Sequence, residues 1–123
     1  MSTIDTVFRK LRSAKRPAFM PFITAGDPDL DFTADVLRAL ADRGADLIEI
    51  GIPYSDPIAD GPVIQASYTR VFEQGIRVRD VMRTIQRVAS EIATPLVTMV
   101  SYAIVMRHGL REFIEAAQEA GVA

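Results

Sequence analysis

The sequence predicts an α/β chain in which a parallel sheet is covered by helices. Three observations carry that prediction. Short apolar runs at residues 18–25, 46–53 and 96–102 alternate with amphipathic helical stretches. The runs are almost continuously apolar, as strands covered on both faces are. Clusters of Gly, Asp and Pro close the first two of them. Nothing marks a linker, a low-complexity tract or a close repeat.

The chain opens with Ile4, Val7, Phe8 and Leu11 at the i, i+3, i+4, i+7 spacing of one helical face, with Ser2 or Thr3 as N-cap. Arg16 and Pro17 end that helix. Residues 18–25 (AFMPFITA) read as a buried strand, in which Pro21 is awkward because it has no N–H for a ladder. After the turn at residues 26–28, Asp29 or Asp31 caps a helix whose apolar side is Val36, Leu37, Leu40 and Ala41; Gly44 ends it. Residues 46–53 (DLIEIGIP) form a second strand, and residues 54–61 (YSDPIADG) a loop dense in turn formers. Pro62 suits the first turn of a helix running to about Gly75. Val78, Val81, Met82, Ile85, Val88, Ala89 and Ile92 make the cleanest helical stripe, which Pro95 stops. Residues 96–102 (LVTMVSY) read as a third strand. Leu110, Phe113, Ile114 and Ala117 mark a last helix ending at Gly121, and residues 121–123 resemble the approach to a further strand.

Composition narrows the chemistry. With 123 residues, 49% hydrophobic and 24% charged, the chain has the apolar side chains for a core and no case for disorder. Fourteen basic against sixteen acidic residues give a net charge of −2, which supplies no field for nucleic acid and no polybasic membrane patch. The absence of Cys excludes disulfides, thiolate metal sites and a Cys nucleophile, and the single His108 cannot build an imidazole cluster. No metal, phosphate-loop or dinucleotide motif is present. The opening residues form neither a signal peptide nor a membrane span, so a cytoplasmic location is expected.

One residue stands out from its surroundings. Side chains alternate along a strand, so in residues 46–53 Ile48, Ile50 and Ile52 share one face while Leu47, Glu49 and Gly51 share the other. If the isoleucines face the helices, Glu49 points to the inner side of the sheet. Desolvation there favours the neutral acid, moving it toward the range useful for proton transfer. The plainer alternative is a structural glutamate paired with an arginine from elsewhere. Asp56 and Asp60 lie in the following loop, where ligand contacts are expected in α/β folds. Asp60, just before Gly61 and Pro62, equally suits a helix N-cap, the commoner use of such an aspartate. Phe22 shares a face with Met20 and Thr24 and suits the core. Tyr102, at the end of the third strand, offers a ring and hydroxyl to a pocket or to a neighbour. His108 sits in a polar stretch that reads as a solvated loop.

The segments at residues 21–28 (PFITAGDP) and 49–65 (EIGIPYSDPIADGPVIQ) closely resemble the alpha subunit of tryptophan synthase, and similarity runs through essentially the whole chain. The resemblance implies a partial TIM (β/α)8 barrel: an N-terminal helix plus the first three βα units, with residues 1–123 forming the N-terminal half of a domain of roughly 250 residues. It implies a lyase of L-tryptophan biosynthesis that cleaves indole-3-glycerol phosphate to indole and glyceraldehyde 3-phosphate. In that family pattern Glu49 is the general acid/base and Asp60 stabilises the indolenine-like intermediate. Phe22, Ile64, Val100 and Tyr102 match positions lining the indole pocket. Pro53, Asp56 and Pro57 match the loop that meets the beta subunit in an alpha2-beta2 tetramer. No cofactor is implied for this chain, since pyridoxal phosphate belongs to the beta subunit.

Two departures accompany the resemblance. Tyr102 is followed by Ala103 and Ile104 where many relatives carry Asn-Pro, and the family's phosphate-binding residues belong to the second half of the barrel. The alternative function is therefore a catalytically incompetent half-barrel that at most docks on the beta subunit. With three parallel strands, two edges and the inner face of the sheet are expected to be uncovered.

Overall fold

The computed structural model describes residues 1–123. In chain order the elements are α1 (Thr3–Ser13), β1 (Phe22–Thr24), α2 (Leu30–Asp42), β2 (Ile48–Gly51), α3 (Pro62–Glu73), α4 (Val78–Ala89), β3 (Leu96–Met99), α5 (Tyr102–His108) and α6 (Leu110–Glu119). The three strands form one parallel sheet in the order β1-β2-β3. Beyond β3, Val122 makes a single parallel bridge to Leu96, and the Ala123 amide donates to the Leu96 carbonyl at 2.9 Å.

The local chemistry of the sequence explains the boundaries. Ser2 and Asp5 close a reciprocal capping box on α1, satisfying two amides that the helix cannot use. Asp29, rather than Asp31, caps α2 by accepting from the Phe32 amide at 2.7 Å. Pro62 occupies the first turn of α3, where its missing N–H costs nothing.

All three strands are shorter than the sequence predicted, the second covering only Ile48–Gly51 of residues 46–53. The run expected from residue 18 becomes regular only at Phe22, because Pro21 contributes a carbonyl but no donor: the Glu49 amide bonds to it at 2.9 Å. Phe19 and Met20 lie exposed before it. The third strand stops at Met99. Ser101 caps a helix there, its hydroxyl accepting from the Ala103 amide at 3.3 Å, so Tyr102 begins α5 instead of ending a strand. His108 accordingly lies not in a loop but at the last residue of α5. Its Nδ1 is 3.2 Å from the Ile104 carbonyl, and its ring stands edge-on to Phe113 with centroids 6.2 Å apart. Gly109, at φ 93°, separates α5 from α6 in a conformation that a side chain rarely adopts.

Alternation in β2 falls as expected. Ile48 and Ile50 are completely buried and Ile52 nearly so. They join Leu37 and Ala34 of α2, Val81, Ile85 and Val88 of α4, and Ile104, Val105 and Phe113 of the last two helices in one core cluster. Each fully buried isoleucine contributes on the order of 1.5–3 kcal/mol of transfer free energy. The opposite face of the sheet carries Phe22 and Thr24 of β1, Glu49 and Gly51 of β2, and Val97 and Met99 of β3 in register. Except for Gly51, these residues are only half-buried.

Candidate active site

Because all three strands are parallel and in register, Thr24, Gly51 and Met99 end at one edge of the sheet, and the segments that follow gather there. Glu49 sits one pleat back from that edge, between Phe22 of β1 and Val97 of β3. The ion pairs of the chain join Arg16 to Asp46, Arg38 to Asp35 and Glu91, Arg70 to Asp27, Arg79 to Asp80 and Arg87 to Asp31. None reaches Glu49, so the structural ion pair is not its role.

Asp60 is not a helix cap. Gly61 takes the N-cap position of α3 without a side-chain bond, and it is the Asp60 backbone carbonyl that accepts from Gln65 Nε2 at 2.6 Å. Asp60 lines a cavity of about 260 Å³, and its carboxylate makes no ion pair. That cavity is also lined by Ile52, Met99, Val100 and Tyr68.

Tyr68 is the member that sequence reasoning missed. It lies on α3, which is pinned to the end of β1 by three contacts along one helical face. Ser67 and Thr24 share a hydroxyl–hydroxyl bond at 2.7 Å, Arg70 Nη2 pairs with Asp27 at 2.6 Å, and Gln74 donates to the Gly26 carbonyl at 3.4 Å. Ser67, Tyr68 and Val71 are consequently buried. The tyrosine hydroxyl passes over Gly51: a Cβ added there would meet Tyr68 Oη at 2.9 Å and Phe22 Cζ at 2.6 Å. Only glycine lets the two rings approach the strand from this side. Burial pushes the Tyr68 phenol up to about 12, with Asp60 and then Glu49 adding to the shift as nearby negative charges. The phenol is therefore neutral and a donor at physiological pH. Its sequence signal was the stripe Ile64, Ser67, Tyr68 and Val71 on the inward side of α3.

The other expected residues divide. Phe22 and Ile64 line a second cavity of about 290 Å³, between β1, α2 and α3, together with Thr24 and Arg70. Val100 lies with Asp60, whereas Tyr102 is 66% exposed at the start of α5 and lines neither cavity. In the loop after β2, Pro53 is buried, Pro57 half-buried and Asp56 exposed, with Ser55 Oγ donating to the Asp56 carboxylate at 3.2 Å. No three His, Asp or Glu side chains converge as a metal site, and no helix is long and apolar enough to cross a membrane.

A family model described as tryptophan synthase alpha chain matches residues 8–123. The chain belongs to the tryptophan synthase alpha chain family. Among curated relatives, the alpha chain of Caldanaerobacter subterraneus subsp. tengcongensis is 46% identical over 99% of this chain and 47% of its own length. That of Rhodopirellula baltica is 47% identical over 98% of this chain and 45% of its own length. The crystal structure of tryptophan synthase subunit alpha from Legionella pneumophila superposes with a TM-score of 0.94 at 34% identity, covering 99% of this chain and 47% of that one. A mutant alpha subunit from Pyrococcus furiosus gives 0.81 at 41% identity, over 85% of this chain and 42% of its own. This chain thus spans about half the length of the relatives it matches, and its sheet and helices form a partial TIM barrel.

Proposed function

We propose that this chain carries the two catalytic carboxylates of a tryptophan synthase alpha subunit, a lyase cleaving indole-3-glycerol phosphate to indole and glyceraldehyde 3-phosphate. One observation carries the proposal most: Glu49 on β2 and Asp60 in the loop that follows it, both without an ion-pair partner, lie toward the same C-terminal edge of the parallel sheet, where Asp60 lines a cavity. Glu49 protonates the indole ring at C3, giving an indolenine-like cation. The bond from C3 to the hydroxyl-bearing glycerol carbon then breaks, its electrons return to the ring, and the hydroxyl proton leaves as the aldehyde forms. Glu49, now ionised, takes that proton, so one carboxyl group serves both transfers. Asp60 accepts the indole N–H and stabilises the positive charge that develops on the ring. Phe22, Ile64, Val100 and Tyr102 are assigned to the indole pocket.

Neither step calls on a cofactor held by this chain. Pyridoxal phosphate is assigned to a beta subunit, which would meet the loop at Pro53, Asp56 and Pro57 in an alpha2-beta2 assembly, in the cytoplasm. A second reading is favoured by the division of the pocket residues between two cavities: the chain alone is a half-barrel that docks but does not catalyse.

The test joins the C-terminal portion of the Caldanaerobacter relative to Ala123 and measures indole release from indole-3-glycerol phosphate. Activity that falls about 10²–10⁴-fold in Glu49→Gln is the expected result. No indole from the joined chain, or equal rates in the variant, overturns the proposal. If the unjoined chain releases none but binds a beta subunit, with Asp56→Ala weakening that binding, the docking reading holds for the half alone.

A further inference from the structure

The end of β2 separates two cavities of opposite charge, with Ile52 and Tyr54 lining both. On one side is the space lined by Asp56 and Asp60. On the other is a cavity of about 340 Å³, formed where the loop after β2 meets the start of α4 and the last turn of α5. Its floor is apolar, with Ile52, Val81 and Ile104 buried. Its rim carries Arg77, Arg79, Arg107 and His108, all exposed, and no Asp or Glu lines it. That is an uneven distribution in a chain whose net charge is −2.

The fold does not account for these cations. Arg77 and Arg107 make no ion pair, and Arg79 reaches Asp80 only at 3.9 Å. Arg107 and His108 end α5, where positive charge suits the helix dipole. Arg77 and Arg79 are the N-cap and the second residue of α4, at the end where the same dipole disfavours a cation. It is Asp80 that serves this terminus, its carboxylate accepting from the Arg77 amide at 3.0 Å. The two guanidinium groups add nothing to the helix, and they stand over an apolar floor.

We infer that this cavity is a binding site for a small organic anion, a carboxylate or phosphate group carried on an aromatic or aliphatic body, separate from the site assigned to the reaction. The volume lies in the range of small-molecule pockets, and a few convergent polar groups around an apolar lining are their usual make-up. The class of ligand follows from the two parts of the cavity. Guanidinium forks bind carboxylate and phosphate oxygens in pairs, so the rim takes the acid group. The floor takes the body, whose apolar surface leaves water there. An inorganic anion would gain nothing from the floor, and a neutral hydrocarbon nothing from the rim. His108 keeps its Nδ1 on the Ile104 carbonyl at 3.2 Å, which leaves Nε2 uncommitted.

The test uses 2-naphthoate as the probe and 2-naphthamide as its neutral counterpart, each titrated into the isotope-labelled chain and followed by amide NMR shifts. Saturable shifts at residues 77–79 and 104–108 are expected, with the neutral compound binding at least about tenfold more weakly than the acid. Arg77→Gln combined with Arg107→Gln should weaken 2-naphthoate binding about tenfold or more. The urea midpoint should hold in that variant, since neither exposed arginine is paired. Glu49→Gln should leave the affinity unchanged. Equal affinities for acid and amide, no loss when both arginines are replaced, or no saturable shift at millimolar 2-naphthoate each overturns the inference. Shifts centred on Glu49 and Asp60, or an affinity that follows Glu49→Gln, overturn it as well, because the probe would then occupy the site assigned to the reaction.

Discussion

On one face of the sheet Ile48, Ile50 and Ile52 are almost wholly buried; on the other, Phe22, Glu49, Val97 and Met99 stay half-buried, though the same strands carry both sets. The first face is covered by α2 and α4 and holds the core. The second has only α3 leaning over the end of β1, and it holds Glu49, which has no ion-pair partner. Because side chains reverse direction at each residue, one short strand serves both faces, with Ile48 and Ile50 turned to the core and Glu49 to the other side.

Four changes would break or sharpen this contrast. The largest effect is expected from Ile50→Ala on the helix-covered face, which should cost about 2–5 kcal/mol in urea unfolding, the range for a large-to-small change in a packed core. Gly51→Ala should cost about 1–3 kcal/mol by forcing Phe22 and Tyr68 aside. A double-mutant cycle with Phe22→Ala should recover part of that loss; strict additivity would deny the contact. Arg70→Ala removes an exposed pair and should cost at most about 1 kcal/mol. Its better signature is faster amide exchange in α3, with α4 and β2 unchanged. The smallest effect concerns pH. The Arg16 guanidinium, helped by the Phe19 amide, holds the Asp46 carboxyl below the ordinary aspartate range. Its folded value lies below its unfolded one, so the stabilisation is complete at neutral pH and fades only as pH drops below about 4. Thermal melts of Asp46→Asn should therefore show a shallower acid decline than the parent.

Much of the helix-covered face was legible in the sequence, because burial leaves a periodic trace. The isoleucine alternation in residues 46–53, the stripe from Val78 and the cap at Asp29 all reappear in the structure. The inner face was legible only at Glu49, where a charge interrupts an apolar run. Tyr68 was missed because a tyrosine among buried helix positions looks like any core residue, and its approach to β2 depends on a glycine 17 positions earlier. Tyr102 was misplaced because an apolar run ending in Ser-Tyr continues a strand pattern, while Ser101 in fact turns the chain into a helix. The helix-cap alternative for Asp60 failed in a similar way: the residue before a helix need not cap it when Gly61 intervenes.

The contrast between the faces is tested most directly on two neighbours in β2. Urea midpoints of the parent chain, Glu49→Gln and Ile50→Ala can be compared under one set of conditions. The account predicts that Glu49→Gln unfolds within about 0.5 kcal/mol of the parent, as a change that removes no packing or partner should, while Ile50→Ala falls well below both. A Glu49→Gln midpoint that drops alongside Ile50→Ala would contradict it, because the carboxylate would then be holding the fold together.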